Sequence, residues 1–567
     1  MPTASTLPAC EGNLFVALRS GFPADLDQTA IETDSGLFYS WRDIERATAM
    51  LANLLEDLDL PPASRIAVQV EKSVEAAMLY LATLRAGHVF LPLNTAYQSG
   101  EMAYFIGNAE PAVVVCSSRN FGWVSQIAFS AGTAHVFTLD GDRAGSLLQR
   151  AALCSDQHEV ATSGGDDLAA ILYTSGTTGR SKGAMLSHTN LLSNARVLKD
   201  YWGWRSPAQG GDVLIHALPI FHVHGLFVAL HGALLNGSPM LWQSRFDPAW
   251  VVQCLPRATV FMGVPTLYVR MLAEVGLNAQ QCCNMRLFIS GSAPMLLDTF
   301  TQWRQRTGHT ILERYGMSET AMLTSNPCDP ALGERRGGTV GFALPGVDLR
   351  VLDDEGAALA HGEVGGIQVR GPNVFKGYWR MPEKTHEEFT ADGFFKTGDV
   401  GRFDADGYVT IVGRSKDLII SGGYNVYPAE IESFVNDLPG VAESALVGIT
   451  HPDFGEVGVL VVTCRDGMPL DPQQLIAATK AGLANFKVPN SVLSWMPCPA
   501  MRWARCRRTC CASSIAGSSA EPERRHTAAN VSGSTGRGAT WRISAAPAPV
   551  RVSVSVPAGF RCPAADV

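Results

Sequence analysis

The sequence predicts an α/β protein. Its large N-terminal domain is expected to hold layered α/β subdomains plus a β-barrel-like subdomain, hinged to a small α+β C-terminal domain and followed by a disordered tail. Three observations carry this reading. Up to about residue 415, amphipathic helical segments alternate with short apolar runs, as in largely parallel sheets buried between helices. From Gly337 the runs alternate apolar with polar residues and turn at Asp-Glu-Gly, as antiparallel strands do. After Arg414 a single helical segment is followed by strand-like runs. The expected domains are therefore 1–414 and 415–493, with 494–567 as an aberrant tail.

Taken in order, "SVEAAMLYLATLRAG" reads as a helix closed by Gly87, and "HVFLPLN" and "AVVVC" read as strands. "DLAAILYTSG" is a strand running into a glycine loop, and "VLIHAL", "ATVFMGV" and "MRLFISG" repeat that form. "VDLRVLDDEG" and "GGIQVRG" are the antiparallel runs, and "YPAEIESFVNDLPGVAESALVGI" is the helix and strand of the small domain. No internal repeat is present. The pattern collapses near Ser494, and the last lysine is Lys487.

The chain is 46% apolar and 17% charged, with a formal net charge of -8. This mild acidity gives no reason to expect a nucleic-acid partner. The N-terminus lacks a basic stretch followed by an apolar run, and no run of about 18 apolar residues suggests a membrane span. Of thirteen cysteines, eight are scattered over the first 464 residues without framework spacing. That distribution fits reduced thiols and a cytoplasmic location. Oligomeric state is not legible.

The segment "YTSGTTGRSKG", Tyr173 to Gly183, alternates hydroxyls with glycines and ends on a lysine. Glycines let backbone N–H groups approach phosphate oxygens, and the hydroxyls and Lys182 add donors. It is not a Walker A loop, because Gly183 follows the lysine where Ser or Thr would be needed. The stretch resembles the phosphate loop of the adenylate-forming superfamily of acyl-CoA synthetases, luciferases and adenylation domains. "RYGMSET" (314–320) and "KTGDVGRFDADGYVTIVGRSKDLIISGGYNVYPAEIE" (396–432) follow in the order expected of that superfamily. The resemblance covers roughly residues 15 to 490.

What the resemblance implies is an ATP-dependent carboxylate–CoA ligase. The acid is joined to the α-phosphorus of ATP, pyrophosphate leaves, and the acyl-adenylate is passed to the thiol of coenzyme A. Thr174, Ser175, Gly176, Thr177, Thr178, Gly179 and Lys182 would embrace the phosphates, with Thr178 counted among the catalytic groups. Glu319 would hold Mg²⁺, a hard cation suited to a carboxylate. Ser292, Ala293, Tyr315, Gly316, Met317 and Ser318 would frame the adenine end. Asp399 would accept from the ribose hydroxyls, with Arg414 beside it; read alone, Asp399 is a turn residue.

His222 would stand beside the reacting carboxylate, with Val223 and Met317 lining the acyl pocket. Zinc is the rival reading of the histidines around "IFHVHGLF", but His-x-His lacks the spacing of common zinc sites. Lys416 would be the hinge, and Gly422, Gly423 and Tyr424 would line the CoA tunnel.

The text looks most like the malonyl-CoA synthetase branch. Malonate carries a second carboxylate, which calls for a buried guanidinium. Arg270, on a helix after Gly263 and Pro265, is the first candidate and Arg286 the second. Methylmalonate stays open, and a medium-chain fatty or aryl acid is the alternative substrate. A non-catalytic protein that holds ATP or acyl-adenylate is the alternative of a different class. A module that loads a carrier protein is weakened by the absence of a carrier-like serine motif.

The superfamily also delivers a lysine from near the C-terminus, a few residues past a "FKVP" phrase. Here "FKVP" stands at 486–489 and no lysine follows. Residues 501–512, "MRWARCRRTCCA", hold four arginines and three cysteines instead. Residues 494–514 can be back-translated to a string that, read one base out of register, gives "VDALPRNALGKVQKNVLREL", which contains the expected lysine. The tail therefore reads as frameshifted, and adenylation by this copy as impaired. A functional basic tail is the rival reading.

Overall fold

The computed structural model describes residues 12–174, 181–421, 424–451, 455–465, 468, 470–483 and 485–494. The tail reading lies outside them, apart from Ser494. The chain divides into two compact units, one ending at Lys416 and the other beginning at Asp417.

In the first unit, one sheet has six strands in the order His135–Thr138, Val113–Cys116, Arg65–Gln69, Val89–Pro92, Leu168–Thr174, Lys182–Ser187. Five run parallel, and the last returns antiparallel as a hairpin with Leu168–Thr174. These strands are short and almost continuously apolar because helices cover the sheet. The helix Val74–Arg85 shows the local logic. Ser73 caps it by accepting from the Ala76 N–H, and every residue from Val74 to Arg85 is buried. It ends before Gly87, whose φ of +73° continues the chain in a conformation that favours glycine.

A second sheet has nine strands, with Leu214–His216, Val260–Gly263, Leu287–Ser290 and Leu312–Met317 at its centre. Adjacent members of this group pair in parallel. Their C-terminal ends lead into the segments that carry His222, Arg270, Ser292 and Glu319, which is where open α/β sheets bind ligands.

The subdomain read as barrel-like is a four-stranded antiparallel sheet of Asp348–Leu352, Gly365–Arg370, Phe395–Phe403 and Val409–Arg414. Its segment from Asn373 to Trp379 reaches back to the first sheet. Trp379 N donates to Gly183 O at 2.7 Å, and Lys376 N donates to Met185 O at 2.9 Å.

The second unit pairs Val441–His451 antiparallel with Gly455–Cys464, and Ser491–Ser494 parallel with the latter. Two helices, Pro428–Asn436 and Pro472–Gly482, enclose a core that includes Ile431, Val435, Leu446, Leu460 and Leu475. The described residues contain no helix long and apolar enough to cross a membrane.

Candidate active site

The phosphate hairpin is described up to Thr174 and again from Ser181. Ser175, Gly176, Thr177, Thr178 and Gly179 lie outside the described residues. Thr174 and Lys182 are cross-strand partners at its mouth. Gly183 is required by packing, because a Cβ there would come within 2.9 Å of Ile171 Cγ2 and 3.3 Å of Trp379 Cβ. Lys182 Nζ sits 4.1 Å from the centre of the Tyr378 ring and 3.4 Å from Glu388 Oε1.

Glu319 follows the strand Leu312–Met317 in a tight turn, in which Thr320 N donates to Met317 O at 3.2 Å. Its side chain is buried and accepts from Tyr378 Oη at 3.1 Å. Burial raises its pKa above the usual carboxylate range, while Tyr378, Lys182 and Arg414 oppose that. Glu319 is in no ion pair among the described residues, and such a buried carboxylate suits a divalent ion. The described residues hold no cluster of three or more His, Cys, Asp or Glu able to bind a metal. Such an ion would therefore complete its shell with phosphate oxygens and water.

Asp399 and Arg414 face each other across Phe395–Phe403 and Val409–Arg414, and their side chains pair at 3.0 Å. Tyr315 donates its hydroxyl to the second oxygen of Asp399. These three residues are thus one cluster. Gly316 crosses so close to the next strand that a Cβ would lie 1.9 Å from Ala321 O. Ser292 has a φ of +69° and exposes its side chain, whose hydroxyl lies 3.5 Å from His224 Nδ1. Ala293 follows it on the same half-exposed loop.

His222, Val223 and Ser318 line one cavity of about 90 Å³ together with Tyr97, Tyr173 and Phe221. His222 lines that cavity and is exposed at the surface of the fold. Desolvation, with the Arg314 charge adding, pushes its pKa down to about 4, so the ring is neutral at physiological pH. Met317 packs beside the main core and is partly buried. Two of the other histidines are engaged inside the fold. His216 Nε2 pairs with Gly225 O at 3.0 Å, and His231 Nε2 with Tyr80 Oη at 2.8 Å.

The two arginines expected at the second carboxylate fare differently. Arg286 is taken up by Asp212, with Nη2 2.6 Å from Oδ2, and by Trp202 O at 2.8 Å. Both partners belong to the protein itself, so its guanidinium is already occupied. Arg270 lies on the exposed side of the helix Pro265–Leu272, with its guanidinium 5.0 Å from the centre of the Phe246 ring.

A third guanidinium, to which the sequence reading gave no role, is Arg314. It is buried, and its Nε and Nη2 have no hydrogen-bond partner among the described residues. Its charge lowers the pKa of both His222 and His224. Gly291 covers it, and a Cβ there would be 2.6 Å from Arg314 Cζ. Burial pushes its own pKa down to about 9. A desolvated cation without a counter-ion is costly, and an anionic ligand would relieve that cost.

Lys416 is exposed in the short turn Ser415–Asp417. Gly422 and Gly423 lie outside the described residues, and so does the side chain of Tyr424.

The AMP-binding enzyme profile matches residues 23–379, and the AMP-binding enzyme C-terminal domain profile matches 430–499. The chain belongs to the AMP-binding enzyme family. Among similar members of this family, a malonate–CoA ligase of Arabidopsis thaliana is 33% identical over 540 residues, covering 86% of this chain and 87% of that protein. A feruloyl-CoA synthase of Streptomyces sp is 34% identical over 466 residues, covering 81% and 90%. The crystal structure of ATP-bound MatB from Rhodopseudomonas palustris superposes with a TM-score of 0.82 at 51% identity, covering 86% of this chain and 96% of that one. As an AMP-binding enzyme, the chain has the large and small α/β units that the sequence predicted.

Proposed function

We propose that this AMP-binding enzyme is an ATP-dependent malonate–CoA ligase that acts through malonyl-adenylate. The observation that carries the choice of acid is Arg314, a buried guanidinium whose Nε and Nη2 have no hydrogen-bond partner among the described residues and whose charge lowers the pKa of His222. A monocarboxylate would leave that charge orphaned, whereas the second carboxylate of malonate would pair with it. The similarity to malonate–CoA ligases and to MatB supports the same reading.

In the first step, an oxygen of the reacting carboxylate attacks the α-phosphorus of ATP and pyrophosphate leaves. Lys182 and Thr174 hold the departing phosphates with the loop between them. Glu319 would hold Mg²⁺, which supplies charge neutralisation on the phosphates. Tyr315, Asp399 and Arg414 fix the nucleoside, with Ser292 and Ala293 flanking the base. Arg314 anchors the distal carboxylate, and neutral His222 orients the proximal one without neutralising the charge of its nucleophilic oxygen. In the second step the thiol sulfur of coenzyme A attacks the acyl carbon and AMP leaves. Lys416 would be the hinge between the two poses, and Gly422, Gly423 and Tyr424 would line the thiol's approach.

The tail bears on the first step only. Read one base out of register, residues 494–514 restore the lysine that the family resemblance expects, and the chain as written has none after Lys487. The proposal is that this copy has a displaced reading frame, impairing adenylation. The frame-restored chain is therefore the form to test. Given malonate, ATP and coenzyme A, it should yield malonyl-CoA, AMP and pyrophosphate, read by mass spectrometry. No thioester with malonate, but one with a fatty or aryl acid, would overturn the assignment.

A further inference from the structure

One segment, Phe375 to Trp379, touches both halves of the phosphate-binding apparatus. On one side it lies along the edge of Lys182–Ser187, through Trp379 N to Gly183 O at 2.7 Å and an isolated bridge between Tyr378 and Ala184. On the other side Phe375 N donates to the backbone O of Glu319 at 2.8 Å. The side chain at its centre repeats this double contact. Tyr378 donates its hydroxyl to Glu319 Oε1 at 3.1 Å and presents its ring face to Lys182 Nζ at 4.1 Å.

Tyr378 is itself rigidly held. It is buried, its ring packs edge-on against Phe375 with centroids 4.8 Å apart, and its N–H donates to Thr385 Oγ1 at 2.9 Å. Gly377 precedes it with φ +124°, and a Cβ there would lie 2.6 Å from Thr385 Cγ2. The backbone at this point is fitted to a single position of the ring.

We propose that Tyr378 is a positioning residue that couples cation binding at Glu319 to phosphate binding at Lys182. This rests on the reading above that the site takes ATP with a divalent cation. A carboxylate has several rotamers and two equivalent oxygens. The Tyr378 hydroxyl occupies one oxygen of Glu319, which leaves the other for a cation. A lysine is a flexible point charge. The ring face confines Lys182 to one side of the same residue by cation–π attraction. Both groups are therefore held against one residue before ligand arrives, and less ordering is left to the moment of binding.

The hydroxyl and the ring can be separated. Tyr378→Phe keeps the ring and removes only the hydrogen bond to Glu319. Tyr378→Leu removes both. ATP affinity is measured by titration calorimetry with and without Mg²⁺, on the full chain and without malonate, so no turnover is needed. Tyr378→Phe should leave Mg²⁺-free ATP affinity within about two-fold and cut the Mg²⁺-dependent gain by about ten-fold, the scale of one hydrogen bond to a charged group. Tyr378→Leu should weaken Mg²⁺-free binding as well, by about three-fold or more.

In the background of Glu319→Gln, Tyr378→Phe should cause no further loss of the Mg²⁺ effect, because the hydroxyl acts only through that carboxylate. Equal losses with and without Mg²⁺, or additive losses in the double variant, would overturn the coupling while leaving the ligase reading intact. If the unsubstituted chain binds no ATP in either condition, the coupling and the nucleotide reading fall together.

Discussion

Arg314 lies directly beneath Gly291, at a distance where a single added methyl group would meet its guanidinium carbon at 2.6 Å. The strand pairing explains the contact. Ser290 and Glu313 are register partners in parallel strands, so the next residue of each strand, Gly291 and Arg314, are brought side by side. Arg314→Met in the frame-restored chain should lower kcat/KM for malonate by about 100-fold while changing that for butyrate by less than about three-fold, since only malonate loses a partner. Gly291→Ala should act in the same direction, by pushing Arg314 aside. Steady-state kinetics on both acids reads the difference, and equal losses would make Arg314 a structural cation.

Arg286 should behave in the opposite way. Its partner Asp212 is fully buried and also accepts from Thr259 Oγ1 at 2.8 Å. Arg286→Met leaves a buried carboxylate without its cation, which costs about 3–5 kcal/mol. Urea unfolding should show that loss. The ratio of malonate to butyrate kcat/KM should not change.

Acid should destabilise the first unit through its buried histidines. Burial pushes His188 down to about 4 and His231 down to about 3. In the unfolded chain both titrate near 6.5. Between pH 6.5 and 4 the unfolded state therefore binds protons that the folded state does not, and stability falls as pH falls. At pH 5 this pair alone takes up about two protons on unfolding. The midpoint of thermal unfolding should drop from pH 7.5 to pH 5, and His231→Gln, which can still meet Tyr80, should reduce the drop. A midpoint independent of pH over that range would contradict the neutral, buried state of these rings.

The tail separates the two half-reactions. The chain as written should release pyrophosphate about 100-fold or more slowly than the frame-restored chain, the usual effect of losing one donor to a developing charge. Synthetic malonyl-adenylate should still be converted to malonyl-CoA by both. One base inserted after the Leu493 codon should restore the first step. Equal pyrophosphate release from both chains would remove the frame argument.

Much of the fold was legible because its strands announce themselves. Val113–Cys116 and Leu287–Ser290 are short apolar runs that can only be buried, and Gly87 marks the helix end before Val89–Pro92. The Asp399–Tyr315–Arg414 cluster followed from motif order. The site proposed for the second carboxylate did not. Glu313 and Arg314 are adjacent opposite charges, and in text they look self-neutralising. Alternation along a strand sends them to opposite faces, where Glu313 accepts from Gly338 N at 3.1 Å and Arg314 Nε and Nη2 meet no acceptor among the described residues. Arg270 and Arg286 stood near the pocket in sequence but point to Phe246 and Asp212. Tyr378 was invisible because its contacts cross 196 and 59 residues of chain to Lys182 and Glu319.

The central claim is that this site selects a dicarboxylate. Its most direct test is the ratio of kcat/KM for malonate to that for butyrate in the frame-restored chain, with AMP formation followed at saturating ATP and coenzyme A. A site that buries an unpaired guanidinium should reject the acid that cannot pair with it, so malonate should be favoured by about 100-fold or more. A ratio near one, or one favouring butyrate, would contradict the account.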